Sequence, residues 1–312
     1  MPDRLILLEA MAAAAIMAAA ALFLFSLGRT KRPALASAGT ILSIGLGFLA
    51  GCRWLGVQPH WPPREDQDRL LLILFPSMML AEIIAAAVKK WAWLPRFAIA
   101  VCAGWVLLYG SVYLEDLAGP DSREWTPGQT WLNLAILTTS LIAVWASLSK
   151  LASGSGGRTV PLALALTCAG AAATIMLSGY ASGGQLGLPL AGAVAGALFT
   201  SLIRAGSFDA VAATSLTIVG LFDLLVIGRF FGELTTINAI ALFLAPLLCW
   251  LTELPLVRRL ESRQRSFVRV ALTAVLVVIV LSLAQQKFKE AAAGPSTGSQ
   301  EGSIDDYRNY GR

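Results

Sequence analysis

The chain has 312 residues, of which 56% are hydrophobic and 14% are charged, with a formal net charge of +5. Soluble domains carry about 25% charged residues, so this composition excludes a soluble globular protein and indicates that lipid is the solvent. The positive charge does not indicate nucleic-acid binding, because no polar stretch combines basic and aromatic residues. Cytoplasmic loops of membrane proteins are themselves rich in Lys and Arg.

The histidine and cysteine content limits metal and cofactor chemistry. The chain has one histidine, His60, and four cysteines. A haem held by two axial histidines would need a second histidine, and the cysteine spacings match no metal or redox motif. We therefore expect no metal site and no cofactor.

Apolar runs long enough to cross a bilayer recur along the chain. About 20 helical residues cross about 30 Å of hydrocarbon. The sequence therefore predicts an all-α, polytopic integral membrane helix bundle with about ten transmembrane helices, within a range of eight to ten. The predicted spans are Leu5–Gly28, Ala34–Val57, Leu70–Val88, Leu94–Leu114, Thr130–Lys150, Val160–Tyr180, Leu186–Ala205, Phe208–Gly228, Thr236–Val257 and Phe267–Ala284. Since a short turn separates the seventh and eighth spans, a re-entrant hairpin is the alternative for that pair.

The distribution of basic residues predicts the orientation. With the N-terminus outside, the inner loops hold fourteen Lys and Arg residues and the outer loops six, with four more in the C-terminal tail. Inner loops are enriched in basic residues, so we expect an N-out, C-out topology. Residues 1–284 form the transmembrane domain. Residues 285–312 are too rich in Gly, Ser and polar residues to order themselves, and we expect a flexible extracytoplasmic tail.

Two carboxylates lie within predicted spans at similar positions. Glu82 follows Pro76 in the third span, and Glu253 follows Pro246 in the ninth. Proline can kink a helix and open space for water or a ligand, and an ionisable residue in the membrane indicates a functional site by default. If the two helices meet, the carboxylates share an inward-facing cavity that binds a cation or relays protons. The alternative is that each acid pairs with a nearby Lys or Arg.

Two further charged residues complete the predicted substrate or ion pathway. Asp223 lies near the outer end of the eighth span, and Arg53 lies at a comparable depth in the second. We expect a structural ion pair between these helices, and a substrate gate is the alternative.

Two small-residue motifs predict close helix packing. Gly47 and Gly51 are four residues apart in the second span, and Gly192 and Gly196 have the same spacing in the seventh. Such spacing lets helix backbones approach closely. The sequence leaves open whether these contacts form within one chain or between chains.

Catalysis is not indicated. The outer loop carries His60 with Glu65 and Asp66 nearby, but a catalytic histidine needs a positioned acid or nucleophile. The chain has no zinc-protease, serine-hydrolase or nucleotide-binding motif, so we predict that it is not an enzyme. An enzyme acting on a lipid-linked substrate would rest on His60 and the acidic outer loops.

The sequence supports two hypotheses of function. The first is a small-molecule or ion transporter or permease that uses a buried carboxylate. The alternative is a non-catalytic membrane subunit or scaffold of a larger complex. A transporter predicts that Glu82 faces an aqueous path, whereas a scaffold predicts that Glu82 is paired and inaccessible. We expect the lipid bilayer and a membrane-protein partner or second copy as partners, and no nucleic acid. We also expect a multi-pass protein of a cell membrane, the bacterial inner membrane.

Overall fold

The computed structural model describes residues 3–27, 33–116, 119, 123–204, 206–255 and 257–292. Every regular element within these residues is helical, and ten helices are long and apolar enough to cross a membrane. The predicted polytopic helix bundle is confirmed. The spans are α1 Arg4–Leu27, α2 Pro33–Trp54, α3 Asp66–Ala87, α4 Lys89–Leu108, α5 Pro127–Ser155, α6 Thr159–Leu177, α7 Ala181–Ile203, α8 Ala210–Phe230, α9 Thr236–Glu253 and α10 Ser262–Ala292. The seventh and eighth predicted spans are both full-length helices.

Several helix ends differ from their predicted positions. Helix α3 begins at Asp66, four residues before the predicted Leu70, because the side chains of Glu65 and Asp68 form a capping box. Helix α4 ends at Leu108, since the following turn includes Gly110 at a φ of 68°, a conformation that favours glycine. Helix α10 continues past the predicted end to Ala292. The remainder of the predicted tail, residues 293–312, lies outside the described residues, as do the basic residues 29–32.

Both prolines singled out in the sequence lie at changes of helix type. Proline has no N–H with which to continue an α-helix. Before Pro76, residues Leu70–Leu74 form a π-helical turn. At Pro246, helix α9 changes from its α-helical first part, Thr236–Leu244, to a 3₁₀ helix, Ala245–Glu253. The predicted local distortion is therefore present in both helices.

The glycine motif of α2 packs against α1. A Cβ atom on Gly47 would lie 2.6 Å from the carbonyl oxygen of Ala14, and one on Gly51 would lie 2.9 Å from that of Ala10. Ala10 and Ala14 are both fully buried. The alanine-rich face of α1 and the glycine face of α2 thus bring the two backbones into close contact.

The glycine motif of α7 packs against the same helix. A Cβ atom on Gly192 would lie 2.3 Å from the carbonyl oxygen of Met11, and one on Gly196 would lie 2.0 Å from that of Ala15. Both motifs therefore form their contacts within one chain, and α1, α2 and α7 form a closely packed group of three helices.

Helix α8 lies at the centre of the bundle. Every residue from Ala212 to Gly228 is buried, which is expected of a helix that is apolar on all sides. The exposed apolar faces belong instead to helices at the periphery of the bundle, such as α1, where Ile16 is 70% exposed. The side chain of Asp223, in the C-terminal half of α8, is consequently buried as well, with 1% of its surface exposed.

Candidate functional site

The carboxylate of Glu82 is bound by an arginine of the next helix. The Nε of Arg96 donates to Oε1 of Glu82 at 2.7 Å, and Nη2 donates to Oε2 at 2.8 Å. Glu82 is 1% exposed and Arg96 is 8% exposed. A short turn joins the two antiparallel helices, so both residues lie at the same depth. Glu82 is therefore neutralised by a bidentate ion pair and does not face an aqueous path.

Aromatic rings and a hydroxyl group surround this ion pair. The guanidinium carbon of Arg96 lies 5.3 Å from the ring centroid of Trp93 and 5.9 Å from that of Trp145. The indole N–H of Trp145 donates to Ser215 at 2.9 Å, and Ser215 also interacts with the carboxylate of Glu82. The cluster joins α3, α4, α5 and α8, which makes it a structural connection between four helices.

Glu253 is paired in the same way with a different arginine. The Nη2 of Arg269 lies 2.5 Å from Oε1 of Glu253. The Nε of Arg269 donates to Thr252 at 2.7 Å, and Nη1 donates to the carbonyl of Ser155 at 2.7 Å. Arg269 is 2% exposed. It joins the inner part of α10 to α9 and to the end of α5.

The predicted site with two carboxylates is therefore replaced by two ion pairs. Glu82 binds Arg96, and Glu253 binds Arg269. The alternative considered for these acids, pairing with a nearby basic residue, describes the geometry of both. Arg96 and Arg269 are two of the fourteen basic residues that the predicted orientation places inside, and both side chains are buried.

Asp223 is separate from its predicted partner. The side chain of Asp223 is 1% exposed, and its Oδ1 has no hydrogen-bond partner among the described residues. Arg53 is exposed at the end of α2, and no ion pair joins it to Asp223 in the described part of the chain. The expected structural ion pair is thus incorrect, because α8 is buried inside the bundle and the last turn of α2 faces outward.

A cleft of about 400 Å³ opens at the end of the bundle where α3 begins, and we name it the outer cleft because the predicted orientation places this end outside. Asp66, the first residue of α3, lines it and is 4% exposed. The hydroxyl of Tyr180 donates to Oδ1 of Asp66 at 2.8 Å, whereas Oδ2 of Asp66 is buried without a hydrogen-bond partner among the described residues. The cleft is therefore lined by a buried carboxylate, one oxygen of which has no hydrogen-bond partner among the described residues.

Arg69 lines the same cleft one turn further along α3. Its Nη1 donates to the carbonyl of Leu107 at 3.1 Å, and its Nη2 donates to that of Arg64 at 3.0 Å. No carboxylate among the described residues forms an ion pair with it. The cleft thus carries a fixed positive charge next to the carboxylate of Asp66.

The outer loop is held over this cleft by Asp68. Its carboxylate accepts hydrogen bonds from the backbone N–H groups of His60, Arg64 and Glu65, at 3.0, 3.1 and 3.3 Å. The imidazole of His60 is exposed, with its Nδ1 3.8 Å from Asp68. Since the carboxylate of Asp68 accepts these three backbone hydrogen bonds, it anchors the loop rather than orienting the imidazole of His60.

Tyr180 lies in the turn between α6 and α7. Burial, together with the neighbouring carboxylate of Asp66, raises the pKa of Tyr180 to about 12. The phenol therefore keeps its proton at neutral pH and remains a donor to Asp66. This bond holds one oxygen of Asp66, whereas the other has no hydrogen-bond partner among the described residues.

Sequence reasoning missed most of the outer cleft. Asp66 and Arg69 belong to a charged cluster that resembles an ordinary solvated loop, and Tyr180 is more than a hundred residues away in the chain. One available signal was the density of charge directly before a membrane span.

The comparisons with known proteins add no further assignment. No family model matches the chain, and neither a curated protein nor a solved structure matches it. The functional argument therefore rests on the geometry of this chain.

Proposed function

We propose that this multi-pass membrane protein is a transporter for a small polar solute or a cation, which binds in the outer cleft at Asp66. The observation that carries the proposal is the unpartnered Oδ2 of Asp66, buried in a cleft that opens to the outer face. An unsatisfied buried oxygen of this kind costs free energy, and a ligand that donates a hydrogen bond or carries a positive charge would remove that cost. We place the protein in a bacterial inner membrane.

The second unpartnered acid suggests how a solute or ion could proceed inward. Asp223 lies seven residues from the last residue of α8, Phe230, which corresponds to about 10 Å of helix. Ionisable residues that face the interior of membrane bundles commonly mark ion pathways and proton relays. We assign Asp223 as the intramembrane acid of the transport pathway.

The inner half of the bundle supports the same proposal. Two ion pairs, the buried pair of Glu82 with Arg96 and the partly buried pair of Glu253 with Arg269, connect the inner parts of the helices. An outer cleft above an inner half held closed corresponds to the outward-facing state of an alternating-access cycle. In this proposal the two ion pairs separate when the inner side opens.

The alternative is a non-catalytic membrane subunit or scaffold. The pairing and burial of Glu82 favour it, because a scaffold needs no accessible acid. Small-residue motifs that pack against a partner would support it further, but Gly47, Gly51, Gly192 and Gly196 pack against α1 in the same chain. The unpartnered acids favour transport.

Transport can be tested on purified protein in liposomes adsorbed to a solid-supported membrane. Amines, amino acids and inorganic cations are applied by rapid solution exchange, and the transient current is recorded. We expect at least one of these classes to give a current with the wild-type chain. Asp66→Asn should reduce that current at least tenfold, since it removes the charge while keeping the size of the side chain.

Glu233→Gln is the matched control, because Glu233 is an exposed acid on the same face and its loss should leave the current unchanged. A folded wild-type protein that gives no current with any of these classes would favour the scaffold. A current that Asp66→Asn and Glu233→Gln affect equally would remove Asp66 from the mechanism.

A further inference from the structure

A second cavity, the groove, lies between α5, α8 and α9. Its volume of about 550 Å³ is within the range of ligand sites. Helix α8 forms its floor with Phe222 and Val226, and α9 contributes Phe243. The inner parts of α5 and α9 meet, where the indole N–H of Trp250 donates to the carbonyl of Ser147 at 3.2 Å. The two helices are therefore in contact beyond the inner end of the groove.

The length of the groove matches one leaflet. Its lining extends from Asn133 to Ser140 on α5 and from Thr236 to Leu244 on α9. At 1.5 Å per residue these segments span about 10 to 12 Å, compared with about 15 Å for half of the hydrocarbon core. A hydrocarbon chain of the outer leaflet fits this depth, and the mostly apolar lining suits its chemistry.

A positively charged side chain, that of Arg229, lies at the outer end of the groove. Arg229 lines the groove near the end of α8, and its Nε donates to Thr236 at 2.8 Å. Its guanidinium carbon lies 5.6 Å from the ring centroid of Phe230. No carboxylate among the described residues forms an ion pair with it. Arginine binds phosphate through paired N–H donors, and these two contacts hold the guanidinium at headgroup level.

We propose that this groove is a binding site for a phospholipid with an anionic headgroup, whose phosphate contacts Arg229 and whose acyl chain lies along α8. Charge complementarity at the mouth and the depth of the groove select this ligand over a soluble one. No described residue that lines the outer cleft also lines this groove, and the proposal does not depend on the proposed transport function.

Native mass spectrometry of the full chain in detergent tests this site, with phosphatidylglycerol and phosphatidylcholine as probes. The wild-type chain should retain one phosphatidylglycerol with about tenfold preference over phosphatidylcholine. Arg229→Gln should remove the preference, and Arg229→Lys should keep part of it. Ala239→Phe, which fills the groove but keeps Arg229, should abolish retention of the lipid.

Arg53→Gln is the control, because Arg53 is an exposed arginine near the same boundary and away from the groove. Each variant is first compared with the wild type in thermal unfolding, and a misfolded one is replaced by Ile240→Trp as a second groove-filling variant. Equal retention by wild type, Arg229→Gln and the groove-filling variants would mean annular lipid only and would overturn the proposal.

Discussion

The buried and partly buried acidic residues of the helices differ in whether they have a partner. Glu82 and Glu253 are each bound to an arginine, whereas Asp66 and Asp223 each keep an oxygen without a hydrogen-bond partner among the described residues. Breaking a buried ion pair costs about 3–5 kcal/mol, because the remaining charge is left uncompensated. The first two residues therefore contribute to stability, and the last two are the acids that we propose for the transport pathway.

Removing Glu82 should show this structural role. We expect Glu82→Gln to lower the free energy of unfolding by about 3–5 kcal/mol, since Arg96 keeps its charge in a buried site. The double variant Glu82→Leu with Arg96→Met should recover most of that loss. Denaturant unfolding in detergent measures both, with Glu233→Gln as the exposed control. An unchanged stability in Glu82→Gln would show that water reaches the pair.

Tyr180 should ionise at a higher pH than an unperturbed tyrosine. Its pKa of about 12 compares with about 10 for an unperturbed tyrosine, so the folded state favours the protonated phenol. The stabilisation is fully present below about pH 10 and is lost as the pH rises toward 12. We expect Tyr180→Phe to remove the late component of the tyrosinate absorbance titration. Asp66→Asn should shift that component to lower pH, and no shift would argue against their contact.

The effect of a Gly-to-Ala substitution on stability should depend on how closely the glycine is packed. Gly196 lies where a Cβ atom would be 2.0 Å from a carbonyl oxygen of α1, whereas Gly128, in the first turn of α5, has nothing within 4 Å. We expect Gly196→Ala to destabilise the protein by about 1–3 kcal/mol through overpacking. Gly128→Ala should be neutral or stabilising by at most about 1 kcal/mol. Similar melting temperatures for the two variants would contradict the close packing of α1 and α7.

The elements themselves were largely predictable. Ten apolar runs correspond to ten helices, because the hydrocarbon core requires a length of apolar residues that can be counted in the sequence. The ends were less accurate: Asp66 and Arg69 resemble loop residues but are helical. The capping box that starts the helix is local, but the burial of these two residues depends on partners far away in the chain, the carbonyl of Leu107 and the hydroxyl of Tyr180, which no local pattern shows.

The even number of helices predicts that both ends of the molecule lie on one side. In a cysteine-free variant, single cysteines at Asp3 and Lys289 should react with a membrane-impermeant thiol reagent from outside the cell. One at Lys90 should react only from inside. Labelling of the first two from inside would reverse the orientation but keep ten spans. Labelling of Asp3 and Lys289 from opposite sides would contradict ten crossings.

At the scale of the whole molecule, the sequence alone determined the solvent, the helix class and the approximate number of spans, because these depend on the amount and spacing of apolar residues. Only the tertiary structure decided which charges meet. By sequence, Arg96 and Arg269 are counted among the basic residues of the inner loops, yet their side chains neutralise Glu82 and Glu253. The partners of a buried charge depend on how helices pack, and packing depends on contacts between residues that are distant in sequence.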